Sequence, residues 1–443
     1  MSRFACLYLT LTATACLLAE EGTSWPALKA SWAAEHLKLA DEMLKAGCIG
    51  FADAQAGLAG QLAGAEDPGV KAYEEKRKKI KLPDKGWEEK DWKAYEAKRG
   101  ALNRKEAQEA TDLLKKGEQE SSQEVETWAL RLDPDQAEVR KRRGEEKCAG
   151  LGWLPAETVK NLKAGNVKFA DVWEKPDLKK YVSWDKHYEI PTEHFLIKTT
   201  LPTEKARERA MILEAEYRIW EEIFEGVTPI WGRSQPPPVW LLRTTADYQA
   251  CVASEAPAQV ELSKDPVADG FAMSRQAFFR DDATQGSTIS PLGMTVHECS
   301  HLIHYGIPPM NQGDDKGLWC VEGMATLLEP LQTAKTPDWN GVALSRTPRT
   351  LVDAMGSLDA LPALFDMDQP TFYNPSVRCH YSQSYVLAHF LMYGQGGAHR
   401  RDLLCCLLTG MRKEYGGYDA HFHQMPKKEL CVLAKAYALK VLQ

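Results

Sequence analysis

The stretch PLGMTVHECSHLIHYG, residues 291–306, decides how the rest of the chain is read. Leu292, Val296, Leu302 and Ile303 recur at helical spacing. Gly306, followed by Pro308 and Pro309, stops the pattern, which predicts a helix over 292–305. Side chains four apart lie on one helical face, so His297 and His301 can present both imidazoles to one ion. Glu298 stands beside them and can take a proton from water polarised by that ion. Such a helix reads as one wall of a zinc site.

A catalytic zinc needs three protein ligands and one open position. His304 and Glu322 compete for the third place. An ion held between His297 and His301 lies about 7 Å short of His304 along the helix axis, at 1.5 Å per residue. A zinc–nitrogen bond spans only about 2 Å, so His304 is out of reach. Glu322 lies in WCVEGMA at 319–325, near the start of a helix expected over 317–332. The helix dipole alone also favours an acid there. Of the two, Glu322 is the better third ligand.

An HExxH helix, a loop and a helix bearing W-x-x-E-G-x-A together resemble the gluzincin metallopeptidases of the peptidase MA-like superfamily. The resemblance implies one zinc ion held by His297, His301 and Glu322, with Glu298 as the general base and a peptide or protein as substrate. The loop between His301 and Glu322 is slightly longer than is common in that group, a difference its Gly/Pro-rich segment 306–317 can absorb. YSQSYVLAHFL at 381–391 is similar to the helix that, in the aminopeptidase branch, begins with a tyrosine stabilising the transition state. That similarity puts Tyr381 in the role, while Tyr385, one turn on, reads as core. The aminopeptidases also carry a G-x-M-E-N strand whose Glu grips the free amine. Here GFAMS at 270–274 takes the strand's place with no acid after Met273. The departure implies cleavage of internal bonds over trimming of N-termini, and the strand can still pair with an extended peptide. The resemblance covers about residues 188–443.

Outward from the site, strands come first and helices after, an α+β arrangement. Phe195–Thr200, Val239–Arg243 and Asp269–Arg280 each read as a strand, forming a small mixed sheet. A long helix is expected from Thr203 to about Phe224, and further helices over 380–393, 398–413 and 427–441. Residues 20–149 are rich in Ala, Glu, Lys and Arg with apolar residues at helical spacing, an all-helical region loosely like tetratricopeptide hairpins. Within it KAYEEKR at 71–77 returns as KAYEAKR at 93–99, a local duplication. Its interleaved charges read as a solvated surface, and Trp87, Trp92 and Tyr95 as anchors of small cores. The Gly/Pro/Trp-rich residues 150–187 read as a connector.

Residues 1–19 have a basic start, an apolar run from Phe4 to Leu18 and small residues near its end, as a secretory signal peptide does. The protein is therefore expected to be exported, with no transmembrane span in the mature chain. Ala13-Thr14-Ala15 before Cys16 gives a weak hint of lipid anchoring. The formal net charge is -7, from 55 Lys+Arg against 62 Asp+Glu, which argues against a nucleic-acid partner. Two readings of the site follow. One is an exported zinc peptidase. The other is a weakly active or inactive zinc-binding protein that works through its N-terminal helices.

Overall fold

The computed structural model of the chain describes residues 24–80, 89–116, 122–181, 183–224, 235–265, 269–273, 275–282, 289–307, 317–333, 358–373, 377–409, 422 and 425–441. The leader expected over 1–19, with Cys16, lies outside them, as does Trp87. The fold is α+β: an all-helical N-terminal region leads into a mixed region built on a sheet.

Among the described residues six helices come first: α1 Trp25–Lys45, α2 Ile49–Ala63, α3 Pro68–Lys79, α4 Glu89–Lys115, α5 Ser122–Leu132 and α6 Ala137–Arg142. Asp67 caps α3 by accepting from the N–H groups of Gly69 and Val70, with Pro68 at the first helical position. The duplicated heptapeptides both dock on α2. Tyr73 donates to Asp53 at 2.6 Å and Arg77 pairs with Asp53 at 3.2 Å. In the second copy Tyr95 accepts from Gln55 Nε2 at 2.9 Å, and its ring is buried. The repeat is thus a packing device, two tyrosines clasping successive polar positions of one helix.

The sheet is larger than the sequence suggests. β1 Glu145–Cys148 and β2 Gly152–Pro155 form a separate antiparallel hairpin, followed by α7 Ala156–Lys163. Among the described residues the main sheet has seven strands in the order β4-β3-β5-β6-β7-β9-β8. They are β3 Val167–Phe169, β4 Val172–Glu174, β5 Tyr188–Pro191, β6 Leu196–Thr199, β7 Pro238–Leu242, β8 Gly270–Met273 and β9 Gln276–Arg280. The β6–β7 and β7–β9 pairs are parallel and the other pairs are antiparallel. Residues 150–187, expected as a connector, therefore supply β2, α7 and the hairpin β3–β4 at one sheet edge. Strands of three residues are too short to show a period-2 pattern, which is why composition hid them. Asp269–Arg280, expected as one strand, is the hairpin β8–β9, whose turn lacks the Gly or Asn that usually marks one.

Long helix α8 Thr203–Phe224 carries the chain from β6 to the parallel β7, and α9 Thr245–Glu255 follows β7. β7 shows how the layers form. Val239 and Leu241 enter the main core, while Trp240 and Leu242 turn to the opposite face and pack with Tyr248, Cys251 and Val252 of α9. Strand alternation thus places α9 on one side and α8 with α10 Pro291–His304 on the other. Among the described residues the longer C-terminal helices are α11 Leu318–Leu328, α12 Val377–Tyr393, α13 Arg400–Thr409 and α14 Lys427–Val441. The main core runs without a break from Leu39 and Phe51 in the helical region to Ala434 and Ala438 in α14, so it crosses the boundary expected near Gly150. Among the described residues no helix is long and apolar enough to cross a membrane.

Candidate metal centre

Helix α10 is built to hold its histidines still. Ser290 caps it, its Oγ accepting from Gly293 N–H at 3.0 Å, and Pro291 supplies a preset first helical residue. Val296, Cys299, Leu302 and Ile303 anchor it in the core. Behind the motif, Ser300 Oγ donates to Glu216 of α8 at 2.5 Å. Glu216 is fully buried, and burial pushes its carboxyl well above the usual range despite that bond.

His297, His301 and Glu322 meet in a buried cluster able to hold a metal ion. Glu322 Oε2 lies 3.1 Å from His297 Nε2 and 3.4 Å from His301 Nε2. Ligand atoms about 2.0–2.1 Å from a tetrahedral zinc stand about 3.3 Å apart, so Glu322 Oε2 is already at that spacing from each histidine nitrogen. Glu322 reaches this place because α11 packs closely on α12. A Cβ on Gly323 would sit 2.6 Å from the Ser384 carbonyl oxygen, so the glycine after the ligand permits the approach.

Glu329 and Tyr373 complete the surroundings, and neither was expected. Glu329 Oε1 lies 2.9 Å from His297 Nδ1, which orients the ring and leaves Nε2 for an ion. Glu329 stands seven residues beyond Glu322, two helical turns, and that spacing was the available signal. Tyr373 donates to Glu322 Oε1 at 2.5 Å. Nothing in the sequence around Tyr373 marks it.

Charges in the cluster are strongly coupled. Burial disfavours the His297 cation, but its bonds to Glu322 and Glu329 outweigh that and hold its pKa well above the usual value. Burial likewise opposes the Glu322 carboxylate, yet His301 and His297 keep it far below the usual range. An ion would take over the role of those protons. Burial raises the Glu298 carboxyl despite His301 and His297, and its Oε2 accepts from Ala272 N–H of β8 at 3.0 Å.

His304 does not join the cluster. It faces the Leu407 carbonyl at 3.4 Å, and burial drops its pKa to about 3. Tyr381 packs beside the site, its ring 5.6 Å from that of His297 and 5.8 Å from that of Phe372. Tyr385 is buried against His389. Cys299, within the motif, is fully buried, and burial pushes its thiol far up, which makes it an inert core residue.

Glu193, His194 and Glu214 form a second group with ligand atoms within 4.8 Å of one another. Its chemistry differs. Glu214 Oε2 lies 2.7 Å from His194 Nδ1, while Glu193 lies 3.8 Å from the opposite nitrogen, Nε2. Glu193 is held by Arg140, by Arg218 at 2.7 Å and by Trp153 N–H at 2.9 Å. A cavity of about 1300 Å³ opens beside this group and is lined by Ile303 of α10 and by Gly306 just after it, past the motif.

The sequence matches no protein-family model, and comparison with curated proteins and with solved structures returned no match.

Proposed function

We propose that the protein is a zinc-dependent peptidase that favours internal peptide bonds, with its metal at His297, His301 and Glu322. The observation that carries this reading is the meeting of His297 Nε2 and His301 Nε2 on Glu322 Oε2, at 3.1 and 3.4 Å, with Glu298 adjacent. Bound zinc would act as a Lewis acid, polarising the scissile carbonyl and lowering the pKa of water. Glu298 accepts the water's proton and passes it to the leaving amine. Its bond from Ala272 leaves the other carboxylate oxygen to receive that proton. Tyr381 donates a hydrogen bond to the oxygen that becomes negative.

Strand β8 supports a peptide substrate. Among the described residues it is the outer strand of the sheet, and the Asp269 carbonyl accepts from Arg280 N–H of β9. Backbone groups alternate along a strand, so those of Gly270 and Ala272 turn outward; Ala272 N–H is held by Glu298, which leaves the Ala272 carbonyl and the Gly270 groups facing out beside the base. An extended peptide added to that edge would run past Glu298. Ser274 after Met273 supplies no acid for a free amine, which favours internal bonds.

A proteome-derived peptide library, incubated with the full chain with and without a chelator and read by mass spectrometry, tests the reading. Cleavage sites that vanish with the chelator are expected. Glu298→Gln keeps the size of the side chain but removes the base, so turnover should fall by about 10²–10⁴ with zinc retained. Near-normal turnover in that variant would sink the mechanism. Zinc copurifying with a chain that cuts nothing would favour the zinc-binding reading instead.

A further inference from the structure

The two oxygens of Glu322 have different partners. Oε2 faces the two histidine nitrogens, at 3.1 and 3.4 Å, and Oε1 accepts from the Tyr373 hydroxyl at 2.5 Å. Tyr373 follows the helical turn Gln369–Phe372, which Asp368 caps by accepting from Thr371 N–H at 2.9 Å. Its ring meets that of Phe372 edge-on at 5.3 Å, and Phe372 in turn packs against Tyr381. The residue is 42% exposed, so it closes the cluster from the solvent side while its hydroxyl reaches inward.

A carboxylate can bind a metal through one oxygen or through both. Binding through both would fill the position that a substrate carbonyl or water must occupy at an open zinc site. A phenol is neutral near pH 7, so its O–H donates and occupies the lone pairs of Oε1 without adding charge.

We propose that Tyr373 is a positioning residue that holds Glu322 to a single ligating oxygen and so keeps one coordination position of the metal open. The proposal rests on reading the cluster as a zinc centre. It assigns Tyr373 a task distinct from that of Tyr381, which lies against the His297 ring and is expected to act on substrate.

Cobalt(II) substitution of the full chain tests this, because its visible absorption falls when a four-coordinate ion becomes five-coordinate. Tyr373→Phe keeps the ring and its packing on Phe372, so the variant should fold. It should bind cobalt about 10–100-fold more weakly in competition with a chromophoric chelator. Its absorption should weaken as both oxygens engage the ion, whereas Tyr381→Phe should keep the wild-type spectrum. Wild-type affinity and spectrum in Tyr373→Phe would overturn the proposal. Failure of the wild-type chain to take up cobalt would overturn the zinc-centre reading beneath it, a result distinguishable from loss in Tyr373→Phe alone.

Discussion

Among the described residues, two groups of histidine and glutamate side chains bring their ligand atoms together, and they are built differently. In the first, His297 and His301 aim Nε2 at the same carboxylate oxygen, and Glu329 holds the far nitrogen of His297. In the second, Glu214 lies 2.7 Å from His194 Nδ1 and Glu193 lies 3.8 Å from Nε2, so the two carboxylates approach opposite edges of the ring. Arg140 and Arg218 already neutralise Glu193, and Glu214 accepts from Thr192 at 2.5 Å and from His194 N–H at 2.8 Å. Closeness of ligand atoms is therefore a poor criterion alone. Direction and competing cations decide. The second cluster acts as a clasp, joining α6 through Arg140, the β5–β6 turn through Glu193 and His194, and α8 through Glu214 and Arg218.

The comparison breaks most readily at the ligands themselves. Glu322→Ala should abolish stoichiometric zinc by metal analysis, while Glu214→Ala should leave one zinc per chain and lose stability instead. Zinc lost from the second variant and kept by the first would reverse the assignment. Tyr381→Phe asks whether chemistry belongs to the first cluster. Removing one oxyanion donor costs about 2.7–4 kcal/mol, so kcat should fall by roughly 10²–10³ with zinc content and Tm preserved. A larger effect from Tyr385→Phe would place the catalytic phenol one turn further along α12.

Glu329→Gln is a milder probe. It keeps the side chain's size but weakens the hold on His297 Nδ1, so zinc affinity should drop about 10–100-fold in a chelator titration. Unchanged affinity would remove Glu329 from the centre. The smallest effect belongs to the clasp. Burial disfavours the His194 cation, but Glu214 outweighs it and raises the pKa. A raised histidine stabilises fully below its ordinary value of about 6.5, and the benefit is lost as pH rises through the folded value. The stability gap between wild type and His194→Gln, from urea unfolding, should therefore shrink as pH rises above neutrality. A gap that widens would mean His194 is held neutral.

Much of the site was legible because helical geometry is local. His297 and His301 share a face by spacing alone, and the caps and apolar positions of α10 are contiguous in the chain. Glu322 was legible through its motif, and the cluster contains it. The hairpin β3–β4 was hidden because three-residue strands carry no periodicity and exist only through pairing with β5. Glu216 reads as a solvated helix residue until α8 packs behind α10 and presents it to Ser300.

The sequence by itself determined that two imidazoles and an acid would stand on one helix, that a helical region would precede a sheet, and that the chain would carry no excess of positive charge. Tertiary structure alone decided that Oε2 of Glu322 sits at ligand distance from both histidines, that Tyr373 takes Oε1, and that β8 lies outermost with Ala272 tied to Glu298. The reason is physical. Periodicity and capping depend on residues within a turn or two, whereas the direction of a side chain depends on partners 25 to 51 residues away in the chain. Those partners meet only when the core closes.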